Sequence, residues 1–259
     1  MKSIVIKIGG STFGKNETTV EDLVALQKRN IRVVVVHGGG NTITEWLNRL
    51  NISTSFVRGL RVTDRESLKV VVAILAGLVN KELVSTIWQL GGKAIGLSGA
   101  DGGLIMAKNK TPDLGYTGEQ LHVDTSILRI LLEAGYMPVI APISLGRLEN
   151  ADNDIPLLNV NGDTAAGQIA ASLEADKLIF LTNVPGIYDH SNQLIEKLSP
   201  ARAKELIASG IANGGMDAKI ESCLIAVNSV GSTRIIDGRI PHILIREIDG
   251  TGNGTTIAK

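Results

Sequence analysis

Residues 3–10 read Ser3-Ile4-Val5-Ile6-Lys7-Ile8-Gly9-Gly10, and residues 32–41 read Arg32-Val33-Val34-Val35-Val36-His37-Gly38-Gly39-Gly40-Asn41. Each is a run of β-branched apolar residues that ends abruptly in glycine. Continuous apolar runs of this length are the signature of strands buried on both faces, and the glycines mark the tight turns that follow. Similar runs occupy 93–97, 137–141, 177–181 and 233–237. Helical periodicity fills the intervals at 20–28, 43–50, 65–90, 126–134, 164–173, 200–208 and 218–230. This alternation predicts an α/β fold, a three-layer αβα sandwich around a mostly parallel open sheet. Two loop-rich stretches interrupt it: 101–124, expected to form a hairpin or excursion, and 145–161. Beyond residue 174 the pattern restarts with a new strand, which predicts two lobes, 1–173 and 174–259, sharing one sheet.

Composition narrows the function. The chain has 259 residues with 26 Lys+Arg against 26 Asp+Glu, so its formal net charge is zero. No broad positive field is available for nucleic acid or an anionic membrane, and any phosphate must be met by a local cluster. Aromatics are 3% while glycine numbers 29, so the core must be aliphatic. Cys223 is the lone cysteine, and His37, His122, His190 and His242 lack metal-ligand spacing, which argues against disulfides and zinc. The N-terminus carries no signal-peptide pattern, and no run approaches the ~18 apolar residues of a membrane span. The expected location is the cytoplasm.

In open parallel sheets, ligands gather at the carboxyl ends of strands. Three strand ends here are glycine-rich: Lys7-Ile8-Gly9-Gly10, His37-Gly38-Gly39-Gly40 and Ser98-Gly99-Ala100-Asp101-Gly102. Glycine lets backbone amides approach an anion closely, and a helix starting near Asn41 would aim its positive end at the same place. One such turn needs no function; two beside a strand-end lysine point to an anion site. Two familiar motifs fail. Residues 9–16 approximate a P-loop, but Asn16 replaces the hydroxyl residue that holds magnesium. Gly38 and Gly40 begin a dinucleotide fingerprint whose third glycine is Ile43.

Lys7 alternates into an apolar strand, where a charge either reaches solvent or meets an anion or carboxylate. Lys219 lies one turn into a helix after Gly214-Gly215, a position that alone reads as surface. Asp163 reads as a cap or first-turn residue of an Ala-rich helix, while Asn159 and Asn161, two apart on an extended segment, project to one side. Arg61 precedes the long 65–90 helix and suits a carboxylate, either a ligand's or that of Asp64 or Glu66.

Seven segments in order over nearly the whole chain resemble the amino-acid kinase family. They are Lys7-x-Gly9-Gly10, His37-Gly38-Gly39-Gly40, Gly59-Leu60-Arg61-Val62-Thr63, Gly96-Leu97-Ser98-Gly99, Asn159-Val160-Asn161-Gly162-Asp163, Thr182-Asn183-Val184-Pro185-Gly186 and Gly214-Gly215-Met216-x-x-Lys219. The resemblance is strongest to the branch that phosphorylates the side-chain carboxylate of N-acetyl-L-glutamate in arginine biosynthesis. It implies ATP with Mg2+ carried by the nucleotide, and an acyl phosphate and ADP as products. Lys7 and Lys219 would then hold the transferring phosphoryl group and Asp163 would orient them. Amides of Gly10, Gly39 and Gly40 would contact phosphate or acyl substrate, and Arg61 and Asn159 would hold the acidic substrate. The nucleotide would be lined by Lys7, Gly9, Gly10, Thr182, Asn183, Val184, Gly186, Tyr188, Asn213, Gly215, Met216 and Lys219. The lobe 1–173 would take the acyl substrate and dimerise, and 174–259 would take ATP.

Arginine-inhibited members of that branch carry an additional N-terminal helix, whereas the first strand here begins by residue 3. The expectation is a homodimer joined through the 65–90 region, without arginine inhibition. Gly162 stands where many relatives have alanine, with little consequence expected. A rival within the family is the kinase of carrier-linked aminoadipate in lysine biosynthesis, which segments 97–99 and 116–118 also suit; 159–163 favours acetylglutamate. A non-catalytic ligand sensor of the same fold is disfavoured because Lys7, Asp163 and Lys219 are all present.

Overall fold

The computed structural model describes residues 3–9, 18–109, 111–146, 157–211 and 215–259. Gly10, Asn213 and most of the P-loop-like segment lie outside them.

In chain order the first half runs β1 (Ser3–Ile8), α1 (Thr18–Lys28), β2 (Arg32–His37), α2 (Gly40–Arg49), β3 (Phe56–Val57), β4 (Leu60–Arg61) and α3 (Arg65–Val72). A π-helical stretch, Ala73–Val79, joins α3 without a break to α4 (Asn80–Gln89), and β5 (Ala94–Ser98) follows. Next come β6 (Ile105–Asn109), β7 (Thr117–Val123), α5 (Ser126–Glu133), β8 (Met137–Ala141), β9 (Ile143–Gly146) and β10 (Leu157–Val160). The chain then forms α6 (Gly162–Leu173), β11 (Lys177–Thr182), β12 (Lys197–Leu198), α7 (Pro200–Ala208), α8 (Met216–Ala226), β13 (Ser232–Asp237), α9 (Ile243–Ile248) and β14 (Thr255–Ile257).

The main sheet has the order β12-β14-β13-β11-β1-β2-β8-β5. All its pairings are parallel except β13 with β14. The predicted parallel sheet with helices on both faces is therefore present. β1 lies between β2 and β11, and its alternating side chains feed two cores. Val5 packs with α5, α6, α7 and α8 residues such as Leu128, Ile169, Leu206 and Ile220. Ile4, Ile6 and Ile8 pack on the other face with Leu23 of α1, Ile87 of α4 and Leu244 of α9. Lys7 points to the Val5 side, at the end of the strand, where α6 begins. A fully buried Leu or Ile contributes ~1.5–3 kcal/mol, so these two layers carry most of the stability.

The 101–124 excursion is a β6–β7 hairpin, as expected, but it belongs to a closed four-stranded barrel, β10-β7-β6-β9. The 145–161 stretch is less irregular than its composition suggests, because its ends belong to strands β9 and β10, paired antiparallel. The helix at 65–90 is continuous over Arg65–Gln89, and on length and composition alone it is long and apolar enough to cross a membrane. Its longest unbroken apolar run is Val70–Val79, ten residues. Its inner face, including Leu83 and Ile87, is part of the core beneath the sheet, as expected of a core helix.

Candidate active site

The loops after β1 and β2 and the first turn of α6 meet at the carboxyl edge of the sheet. Gly38 N donates to the Ile8 carbonyl at 2.9 Å, tying the first two strand ends together. α6 starts beside them because Asn161 caps it, its Oδ1 accepting from Asp163 N (2.8 Å) and Thr164 N (3.1 Å). The capping residue is thus Asn161, with Asp163 in the first turn, where the helix dipole favours a carboxylate. The two asparagines do not act as one pair, because Asn159 turns instead to Thr63.

Asp163 collects both lysines. Lys7 Nζ stands 2.7 Å from Oδ1 and Lys219 Nζ 3.2 Å from Oδ2. Neither cation is a surface lysine: the side chains of Lys7 and Lys219 are 10% and 18% exposed. Burial alone would raise the Asp163 carboxyl, but attraction from Lys7 and Lys219, with their hydrogen bonds, holds it below the usual carboxylate range. Two cations sharing one carboxylate leave a net positive charge at this edge of a molecule whose total charge is zero. Lys219 reaches this point from the first turn of α8, where Gly215, with φ +90°, makes the left-handed entry that a side chain would strain. Its Nζ also donates to the Gly215 carbonyl at 3.2 Å.

A second cluster lies beside the start of α2. Arg61 is buried at the end of β4 and donates to the Gly40 carbonyl (3.1 Å), to Thr44 Oγ1 (2.7 Å) and to Thr54 Oγ1. Its guanidinium stacks over Phe56 at 4.6 Å. The sequence offered Asp64 or Glu66 as its partner, and the structure gives neither. Asp64 caps α3 through Ser67 N, and Glu66 pairs with Lys69. Thr63, to which the sequence reading assigns no role, donates Oγ1 to the Arg61 carbonyl (3.0 Å) and accepts from Asn159 Nδ2 (3.1 Å). Thr117 Oγ1 bonds the same carbonyl at 3.2 Å. Two threonines therefore fix Arg61 and Asn159 relative to each other.

The third group sits at the end of β11. Ile8 pairs with Leu181, so Thr182 lies one residue beyond the β1 terminus. The turn holding Asn183, Val184, Gly186 and Tyr188 is bolted to β14: Ile187 N donates to Thr255 Oγ1 at 2.8 Å. A Cβ at Gly186 would come 2.6 Å from the same oxygen, so glycine is required there. Gly9, Gly39, Gly40, Gly215 and Met216 occupy the ends of β1, β2 and the start of α8, along the same edge. Among the described residues no three metal-ligating side chains converge.

The profile of the amino acid kinase family matches residues 2–237. The chain belongs to the amino acid kinase family. Proteins named acetylglutamate kinase are similar to this amino acid kinase over almost its full length. One from Thermoanaerobacter pseudethanolicus is 45% identical over 268 residues, covering 100% of this chain and 88% of its own. Another from Dehalococcoides mccartyi is 41% identical over 254 residues, covering 98% and 93%. Among solved structures, smu.665 from Streptococcus mutans superposes with a TM-score of 0.79 at 29% identity, covering 99% of this chain and 98% of that one.

Proposed function

We propose that this chain is an acetylglutamate kinase: it transfers the γ-phosphoryl group of ATP to the side-chain carboxylate of N-acetyl-L-glutamate, as in arginine biosynthesis. The observation that carries the reading is the buried Lys7–Asp163–Lys219 cluster at the carboxyl edge of the sheet.

The nucleophile needs no general base, because a carboxylate with a pKa near ~4.3 is ionised at neutral pH. The difficulty is bringing two anions together. Lys7 and Lys219 meet the charge on the transferring oxygens, Asp163 holds both ammonium groups in place, and the amides of Gly39 and Gly40 at the start of α2, with that of Gly10, add donors. A new bond forms between a carboxylate oxygen and the γ-phosphorus as the bond to the β,γ-bridging oxygen breaks, and ADP leaves with that electron pair. Both oxygens of Asp163 face lysines, so the cluster offers magnesium no spare carboxylate; magnesium enters as part of the MgATP substrate. Arg61 and Asn159 hold the acidic acyl substrate. The turn from Thr182 to Tyr188, together with Gly9, Asn213, Gly215 and Met216, lines the nucleotide. In this reading residues 1–173 form the acyl-binding lobe and 174–259 the ATP-binding lobe of a cytoplasmic enzyme.

The same reading makes the protein a homodimer. β5 is an edge strand of the main sheet, and Leu78 and Trp88 on the adjoining Arg65–Gln89 helix are exposed. Exposed apolar side chains on a helix beside the sheet edge are suited to a second copy. Light scattering at the dimer mass supports this, and a monomer at micromolar concentration opposes it.

The test is direct. Purified protein is incubated with MgATP and N-acetyl-L-glutamate, and the acyl phosphate is trapped with hydroxylamine; formation of the hydroxamate is expected. Trapping only with a carrier-linked aminoadipyl group would transfer the protein to that branch, and no trapping with either would overturn the assignment.

A further inference from the structure

Asn80 is completely buried at the junction where the π-helical stretch enters α4. Its Nδ2 lies 3.1 Å from His37 Nε2, 2.9 Å from the Val139 carbonyl and 3.3 Å from the Leu97 carbonyl, while Oδ1 accepts from Lys81 Nζ at 2.9 Å. The orientation of this amide follows from its neighbours. Two carbonyls accept only, so the NH2 end must face them. His37 Nε2 must therefore accept as well, which places the imidazole proton on Nδ1. Nδ1 lies 3.1 Å from the Gly38 carbonyl, the acceptor that this tautomer requires. Burial is the main reason that His37 is pushed down to about 4, with Lys7 and Lys81 the facing charges that add to it, so the ring is neutral at physiological pH.

We infer that His37 and Asn80 are positioning residues that aim the Gly39 amide at the transferring phosphoryl group. A trans peptide is planar, with C=O and N–H pointing opposite ways. Holding the Gly38 carbonyl against the imidazole therefore turns the Gly39 N–H away from the ring. The π-helical stretch supports the same peptide from a second side. Leu75, which it carries, lies so close that a Cβ on Gly39 would come 2.7 Å from its Cδ2. π-helical segments recur at functional sites, and this one delivers both Leu75 and Asn80. The inference rests on the phosphoryl-binding role proposed for the glycine loop.

Nitrogen NMR of histidine-labelled protein, with turnover of Asn80→Ala, Asn80→Asp and Lys7→Ala, tests it. His37 should appear as the neutral Nδ1–H tautomer from pH 5 to pH 8. Asn80→Ala should lower kcat by about 10- to 100-fold, the scale of an ångström's misplacement, with KM for acetylglutamate within about twofold. Asn80→Asp replaces the donor with an acceptor, so Nε2 becomes protonated and the ring keeps the Gly38 contact only as imidazolium. Its kcat should then fall as pH rises, a limb absent from the parent. An Nε2–H or charged His37 in the parent overturns the inference, as does a folded Asn80→Ala with kcat within threefold. If Asn80→Ala does not fold, the tautomer and the Asn80→Asp profile decide. Loss of turnover in Lys7→Ala alone confines a failure to this inference, whereas full turnover in Lys7→Ala removes the underlying site.

Discussion

Gly167 of α6 and Ser222 of α8 stand backbone to backbone: a Cβ at Gly167 would come 2.6 Å from the Ser222 carbonyl oxygen. The contact lies four residues after Asp163 on one helix and three after Lys219 on the other. Close approach of the helices is therefore what lets Lys219 reach the carboxylate. A glycine inside a helix costs ~1 kcal/mol relative to alanine, and here that cost secures the crossing distance.

Gly167→Ala should push α8 outward and lower kcat by about tenfold or more. Placed in a Lys219→Ala background, the same change should alter kcat by less than about twofold, because the group it misplaces is gone. A double-mutant cycle on kcat measures this coupling; additive losses would mean that Gly167 acts on stability alone.

Gly162→Ala should be tolerated. A methyl there would lie 3.5 Å from Lys7 Cε, 3.6 Å from the His37 carbonyl and 3.7 Å from Pro142 Cγ, all ordinary contacts. Removing a glycine from the unfolded ensemble stabilises by ~0.4–1 kcal/mol, so the melting temperature should rise by about 1–3 °C with kcat unchanged within about twofold.

His37 gives a signature in stability against pH. Its folded pKa, about 4, lies below the ordinary imidazole value of 6.5, so between these values the unfolded chain binds the extra proton. The contribution is complete above ~6.5 and is lost as pH falls toward 4. Asp163 is also depressed, from 3.8, so its contribution is lost only as pH falls below that value. Of the described groups that folding shifts, His37 is the one whose change falls between pH 7 and 5, at about 2 kcal/mol. Urea unfolding of the parent and His37→Asn at both pH values should show a smaller pH dependence in the variant by about that amount. Equal dependence in both would place the acid sensitivity elsewhere.

The sheet was legible because its strands are long β-branched runs. Met137–Ala141 and Pro200–Ala208 match the sequence reading to the residue. β9, β10 and β14 were not legible, since each has only three or four residues and lacks a sustained period. α9 was missed because it has six residues and follows His242 in a left-handed conformation. Lys7, Asp163 and Lys219 were named from resemblance, but no local pattern shows that residues 7, 163 and 219 share one point. Asn80 and Gly167 left no signal, because their roles arise only once the chain is packed, and Thr63 stands in a quoted segment without a role that the sequence could assign. Zero net charge leaves room for a local anion site, since Lys7 and Lys219 place two cations on the single carboxylate of Asp163.

Lys7 and Lys219, held by Asp163, are proposed to stabilise phosphoryl transfer from ATP to acetylglutamate. The most direct measurement is kcat with MgATP and N-acetyl-L-glutamate for Lys7→Ala and Lys219→Ala, with the fold of each checked by circular dichroism. A loss of roughly 100-fold or more in each, comparable with removing a preorganised oxyanion donor, is the predicted result. Near-normal turnover in both folded variants would contradict it.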